Sequence, residues 1–253
     1  MRILISNDDG IEAEGINQLR VYLQDEHELF VVAPDRERSA TGHKITLDKP
    51  LRVKERLYPG YNTLGWAVDG TPADCVKLGL EALLPKPPDL VISGINIGPN
   101  LGTDVLYSGT VSAAIEGIIN GVPSLAVSLA SMDYRDFSFA AMLVKNLLRE
   151  LGDEILGSSL LNINVPPNKP RGIKVTKLGK RRYVNIFDKR IDPRGRVYFW
   201  MGGEPFDLDE QDPDTDAWAI REGYSSITPL HFDLTNHGAL NDLKNMLKKF
   251  ADR

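Results

Sequence analysis

The 253-residue chain contains a single cysteine, Cys75, so no disulfide can form within it. That economy of thiols fits a reducing compartment. Cys75 falls among apolar residues at helical spacing between Ala73 and Leu84, where a thiol serves as a small core hydrophobe. Positive charge is also scarce. Thirty Lys and Arg stand against 35 Asp and Glu, a formal charge of −5. This leaves no broad basic surface for a long nucleic acid, although a small anion needs only a local site. No apolar run is long enough to span a membrane, and Ile3-Leu4-Ile5 gives way at once to polar residues. The expectation is therefore a cytoplasmic protein. Repeats and low-complexity tracts are missing, as are the G-x-G-x-x-G fingerprint, the Walker loop and the G-x-S-x-G elbow. Hydrophobic residues at 42 % and charged residues at 26 % describe an ordinary folded domain.

The hydrophobic pattern predicts an α/β fold. Ile3-Leu4-Ile5 reads as a strand buried on both faces that stops at Asn7-Asp8-Asp9-Gly10. Ile16, Leu19, Tyr22 and Leu23 recur at helical spacing, and Leu29 to Ala33 forms a second strand ended by Pro34. Further strands are read at Asp89 to Ile92 and Ser124 to Leu129, with helices at Thr110 to Ile119 and Phe139 to Leu151. Such alternation requires right-handed crossovers and a mostly parallel sheet flanked by helices. Ile45 to Val68, with Pro50, Pro59 and Gly60, reads as extended segments beside the sheet edge. Beyond Pro166-Pro167 the texture changes to a basic, β-prone stretch from Lys177 to Arg196 and an acidic one from Glu204 to Asp216, read as a protruding appendage. A tail helix carrying Leu240, Leu243, Met246, Leu247 and Phe250 is expected to dock by its apolar face.

Asp8 and Asp9 follow the first strand, and ligands of open α/β sheets bind at the carboxyl ends of strands. Asn-Asp-Asp-Gly is also an ordinary turn sequence. Adjacent carboxylates repel, however, and a divalent cation keeps both ionised. Ser39 and Asn96 lie after neighbouring strands and offer neutral oxygen. Together the four make an all-oxygen set suited to Mg²⁺, Mn²⁺ or Ca²⁺ rather than zinc. Gly94, Gly98, Gly102 and Gly109 punctuate a loop that leads to a helix start. Ser108 suits an N-cap there, and the amides of Gly109 and Thr110 suit a phosphate. Among the histidines, His27 reads as a solvated surface residue, His43 lies in the Ser39 loop, and His231 and His237 flank Asp233. An Asp/His pair four apart can present an oriented proton donor, and can equally be a surface pair.

These blocks resemble the SurE (survival protein E) nucleotidase family. The resemblance rests on Ile5-Ser6-Asn7-Asp8-Asp9-Gly10, Ala33-Pro34 with Arg38-Ser39, Gly70-Thr71-Pro72-Ala73-Asp74, Ser93-Gly94-Ile95-Asn96-Ile97-Gly98, Asp104 to Thr110, and Gly223 to Leu230. It implies a Rossmann-like core over residues 1–170. A C-terminal extension over 171–253, with a β-hairpin appendage and terminal helix, would join chains into a dimer or tetramer. It further implies phosphomonoesterase action on nucleoside 5′- and 3′-monophosphates, with short polyphosphate as a side substrate. Carried over by position, Asp8, Asp9, Ser39 and Asn96 are the ligands of one divalent cation, and Asn96, Ser108, Gly109 and Thr110 face the phosphate. Asp233 and His237 are the acid/base pair, which with Asp8 and Asp9 makes up the catalytic set. Two other readings stay open at this point: a metal-dependent nucleotide-sugar transferase and a non-catalytic nucleotide-binding module.

Overall fold

A computed structural model describes residues 1–58, 63–155 and 160–251. Pro59 and Gly60 lie outside the described residues. The chain opens with β1 (Arg2–Ser6), α1 (Glu14–Leu23), β2 (Glu28–Pro34), β3 (Val53–Leu57) and β4 (Leu64–Val68). Then come α2 (Pro72–Leu78), β5 (Leu90–Ile97), a 3-10 turn at Gly102–Leu106, α3 (Gly109–Ile119) and β6 (Ser124–Leu129). Next are α4 (Ser138–Ile155), β7 (Leu160–Val165), β8 (Ile173–Val175), β9 (Arg181–Val184), β10 (Phe187–Ile191), β11 (Val197–Met201) and β12 (Glu204–Asp207). The chain ends with α5 (Asp216–Arg221), β13 (Ser225–Leu230), a second 3-10 turn at His237–Ala239 and α6 (Leu240–Ala251).

A nine-stranded sheet runs in the order β3-β4-β2-β1-β5-β6-β7-β13-β8. The stretch from β4 to β7 is parallel throughout, whereas β3 pairs antiparallel to β4, and β13 pairs antiparallel to β7 and parallel to β8. Alternation along the buried strands feeds two cores. Ile3, Ile5, Leu90 and Ile92 pack with α1 and α4 on one face, and Leu4 and Val91 pack with α2 and α3 on the other. This is the both-face burial that a continuous apolar run encodes. Cys75 is fully buried in the second core, and burial pushes its thiol well up, so its reading as a core residue holds.

The sheet continues past position 170, since β8 and β13 pair at its far edge. The middle of the extension projects. There β9 pairs with β12, and the β10–β11 hairpin beyond them leaves Phe187, Phe199 and Trp200 exposed. Two expectations need correction. The apolar residues of α6 do not dock on their own chain: Leu243 is 51 % and Phe250 73 % exposed. His27 is not a free surface residue but half-buried beside the N-terminal amine, and burial lowers its pKa.

Candidate active site

The two halves of the parallel sheet diverge between β1 and β5. From β1 the chain moves outward to β2, and from β5 it moves the other way to β6. Loops at the carboxyl ends of these strands therefore part and leave a crevice. Asp8 and Asp9 follow β1, and Asn96 stands near the end of β5. The turn itself is made by their neighbours. Asn7 Nδ2 donates to the Gly10 carbonyl at 2.9 Å, and Asn7 Oδ1 accepts the Gly10 amide at 3.2 Å. Gly10 has φ +101°, where a side chain is strained. Because Asn7 and Gly10 satisfy the turn, both aspartate side chains are released from it.

Asp8 is 4 % exposed, and its carboxylate accepts hydrogen bonds from the hydroxyl and the amide of Thr110. Burial nevertheless pushes its pKa above the usual carboxylate range. Asp9 Oδ2 accepts the Ile97 amide at 3.3 Å. Burial first, and then repulsion from Asp8, push its carboxyl up to about 7. Two anions so crowded are what a divalent cation relieves, and the neighbouring donors suit one. Asn96 commits its Nδ2 to the Gly98 carbonyl at 2.7 Å, which leaves Oδ1 as the atom for a cation. Ser39 stands exposed on the rim, its hydroxyl donating to Glu37 at 2.9 Å. Among the described residues no three His, Cys, Asp or Glu side chains converge. The set is thus hard oxygen, half of it neutral, and fits Mg²⁺, Mn²⁺ or Ca²⁺.

These four residues line an open cavity of about 1120 Å³. Ser108 lines it too and caps α3, its Oγ accepting the Val111 amide at 3.1 Å. Gly109 and Thr110 sit behind this surface against Asp8: a Cβ added at Gly109 would lie 2.8 Å from Asp8 Cβ. Thr110 thus holds Asp8 directly, a role its place in the sequence did not reveal. Asp233 and His237 are hydrogen-bonded to each other, and hydrogen bonds from Thr235 and His237 hold the Asp233 carboxyl at about 2. Both are exposed, and neither lines the cavity.

The sequence reading missed much of the cavity wall. The appendage contributes Tyr183, Ile186 and Met201, and the loop before α4 contributes Met132 and Arg135. Their segments carry no motif, and only tertiary placement brings them here. Tyr183 donates to Asp104 at 2.9 Å, and Arg181, with a side chain only 10 % exposed, bridges Asp104 and Asp207. This ties the appendage to the 3-10 turn beside the site.

The model of the family described as survival protein SurE matches residues 3–185. The chain belongs to the SurE family. A protein named 5′-nucleotidase SurE from Pelotomaculum thermopropionicum is 74 % identical over 248 residues, 98 % of this chain and 96 % of that one. Another of the same name, from Desulforamulus reducens, is 59 % identical over 250 residues, 98 % of this chain and 99 % of its own length. The crystal structure of the SurE protein from Aquifex aeolicus superposes with a TM-score of 0.83 at 42 % identity, covering 97 % of this chain and 99 % of that one. Asp8, Asp9, Ser39, Asn96 and Ser108 all lie inside the family match, which ends just after β9. Among the described residues no helix is long and apolar enough to cross a membrane.

Proposed function

We propose that the chain is a divalent-metal-dependent nucleotidase, a phosphomonoesterase that hydrolyses nucleoside 5′- and 3′-monophosphates to nucleoside and phosphate, with short polyphosphate as a further substrate. The observation that carries the reading is the adjacent pair of buried Asp8 and half-buried Asp9 at the sheet's switch point, beside the N-terminus of α3. The relatives named 5′-nucleotidase SurE support the same chemistry. Asp8, Asp9, Ser39 and Asn96 would hold one cation, Mg²⁺ or Mn²⁺, with Ca²⁺ able to occupy the site. When bound, it supplies the positive charge that polarises a phosphoryl oxygen and acidifies water.

The chain's own residues supply the rest. Thr110 fixes Asp8 through its hydroxyl, so that carboxylate keeps one orientation. The start of α3 at Ser108 and Gly109 offers the positive end of a helix dipole to the phosphate oxygens, while the Thr110 amide is spent on Asp8 and acts through it. Ser108 and Asn96 line the cavity where that phosphate rests. Tyr107 and Tyr183 give the nucleoside aromatic surface on the same cavity wall. His237, oriented by Asp233, donates the proton that the leaving ribose oxygen needs. Since the pair does not line its own chain's cavity, it serves the cavity of a second copy. The uncovered apolar residues of the β10–β11 hairpin and α6 support such a dimer or tetramer. Cytoplasmic location follows from the same reading.

The test is phosphate release from AMP without any acceptor, after chelation and after return of Mn²⁺ or Mg²⁺. Activity should vanish with EDTA and return with metal. Asp8→Asn and Asp9→Asn should each slow turnover by about 10²-fold or more. Full activity after verified metal removal would overturn the reading.

A further inference from the structure

His43 lies four residues after Ser39, yet it does not line the cavity. Its Nε2–H donates to Glu116 Oε2 at 2.9 Å. Glu116, in the middle of α3, also accepts Lys77 Nζ from α2 at 2.9 Å and Asn120 Nδ2 at 3.0 Å, both on Oε1. Its side chain is 5 % exposed. A charge so deeply covered persists only where donors occupy its lone pairs. Burial alone would raise this carboxyl, but the hydrogen bonds from His43, Lys77 and Asn120 outweigh it and hold the pKa at about 2. Nothing in the chemistry of the cavity uses this anion, so its burial needs another reason.

That reason lies in the loop between β2 and β3. Ser39 and Ala40 are exposed, and Ala40 takes a left-handed φ of +54°. For a residue with a Cβ that conformation is strained. Gly42 follows with φ +55°. Within that long loop, an exposed segment with a strained residue beside Ser39 keeps its shape only if both of its ends are pinned. On one side the Arg38 amide donates to the Asp8 carbonyl at 2.7 Å. On the other, the Gly42 amide donates to the Tyr107 carbonyl at 3.1 Å, and His43 is seized by Glu116.

We propose that His43, Glu116 and Lys77 form a clasp that locks the Ser39 loop onto α3 and so positions Ser39 for the cation. His43 is a positioning residue that never touches substrate, and the clasp rests on the reading of Ser39 as a metal ligand. Outer contacts of this kind are worth 10- to 100-fold in metal affinity.

The measurement is Mn²⁺ affinity of the substrate-free protein by calorimetry, with folding followed by circular dichroism. His43→Ala should weaken Mn²⁺ binding about 10-fold, and His43→Gln, which keeps a nitrogen donor, should restore part of it. Ser39→Ala should weaken binding as well, and adding His43→Ala to it should change nothing further, because the clasp acts through Ser39. Glu116→Gln provides the same comparison should His43→Ala fail to fold. A clasp serving stability alone would lower the melting temperature and leave Mn²⁺ affinity unmoved. Folded His43→Ala with wild-type affinity, or effects of the two substitutions that add, would overturn the clasp while Ser39 stands. Ser39→Ala with wild-type affinity would instead overturn the ligand reading, and the clasp with it.

Discussion

Gly109→Ala places one methyl group where the active site has no room. The added Cβ would lie 2.8 Å from both Asp8 Cβ and Asp8 Oδ2, and 3.1 Å from Pro72 Cγ. Ordinary contact begins near 3.4 Å, so something must yield by roughly 0.6 Å. Asp8 Cβ is one bond from the backbone, and its carboxylate is tied to Thr110. Pro72 opens α2, whose first turn is locked by the reciprocal bonds of Thr71 and Asp74. Neither neighbour gives way cheaply, so Asp8 and the start of α3 must separate. Overpacking of this kind costs about 1–3 kcal/mol, or about 2–12 °C in melting temperature for a chain of this size. Displacing Asp8, the proposed ligand, by a large part of an ångström should lower turnover by about 10- to 100-fold. The assay is phosphate release from AMP at saturating Mn²⁺, beside a thermal melt. A folded Gly109→Ala protein turning over AMP within twofold of wild type would refute the argument that Asp8 and α3 form one rigid unit.

Three further outcomes follow from the same geometry. His237→Ala should slow AMP hydrolysis by about 10²- to 10⁴-fold but p-nitrophenyl phosphate far less, since a good leaving group needs no proton; equal slowing of both, in a correctly assembled protein, would assign His237 to binding or structure. Glu116 has its carboxyl lowered in the fold from 4.5 to about 2, so its stabilisation is complete above 4.5 and is lost as pH falls through about 2. The gap in melting temperature between wild type and Glu116→Gln should therefore shrink on acidification through that window, and a gap that stays constant would contradict the ionised pair. Gly152, within α4, has nothing within 4 Å of an added Cβ. Gly152→Ala should raise stability by about 0.5–1 kcal/mol with unchanged activity, as read by denaturant melts and AMP turnover.

The sequence by itself determined the parallel sheet and marked the first candidate ligands, because both are local. A continuous apolar run such as Ile3-Leu4-Ile5 can be buried only on two faces, and the residues after such a strand stand where loops part. Asp8, Asp9, Ser39 and Asn96 were legible as a candidate set for that reason, and Ser108 as a cap from the helix that follows it. What was not legible depended on distance along the chain. Thr110 reaches Asp8 across 102 residues, and His43 reaches Glu116 across 73. Neither pair leaves a spacing that a reader could find. The tail helix shows the opposite failure: its apolar stripe is plain, but a stripe states only that a face wants covering and not which surface covers it. Only the tertiary structure decided that α6 leaves its own chain's core uncovered by that face, that the appendage walls the cavity with Tyr183 and Met201, and that Asp233 and His237 stand apart from it. Periodicity records what each segment must bury, whereas the partners are chosen by packing among elements far apart in sequence.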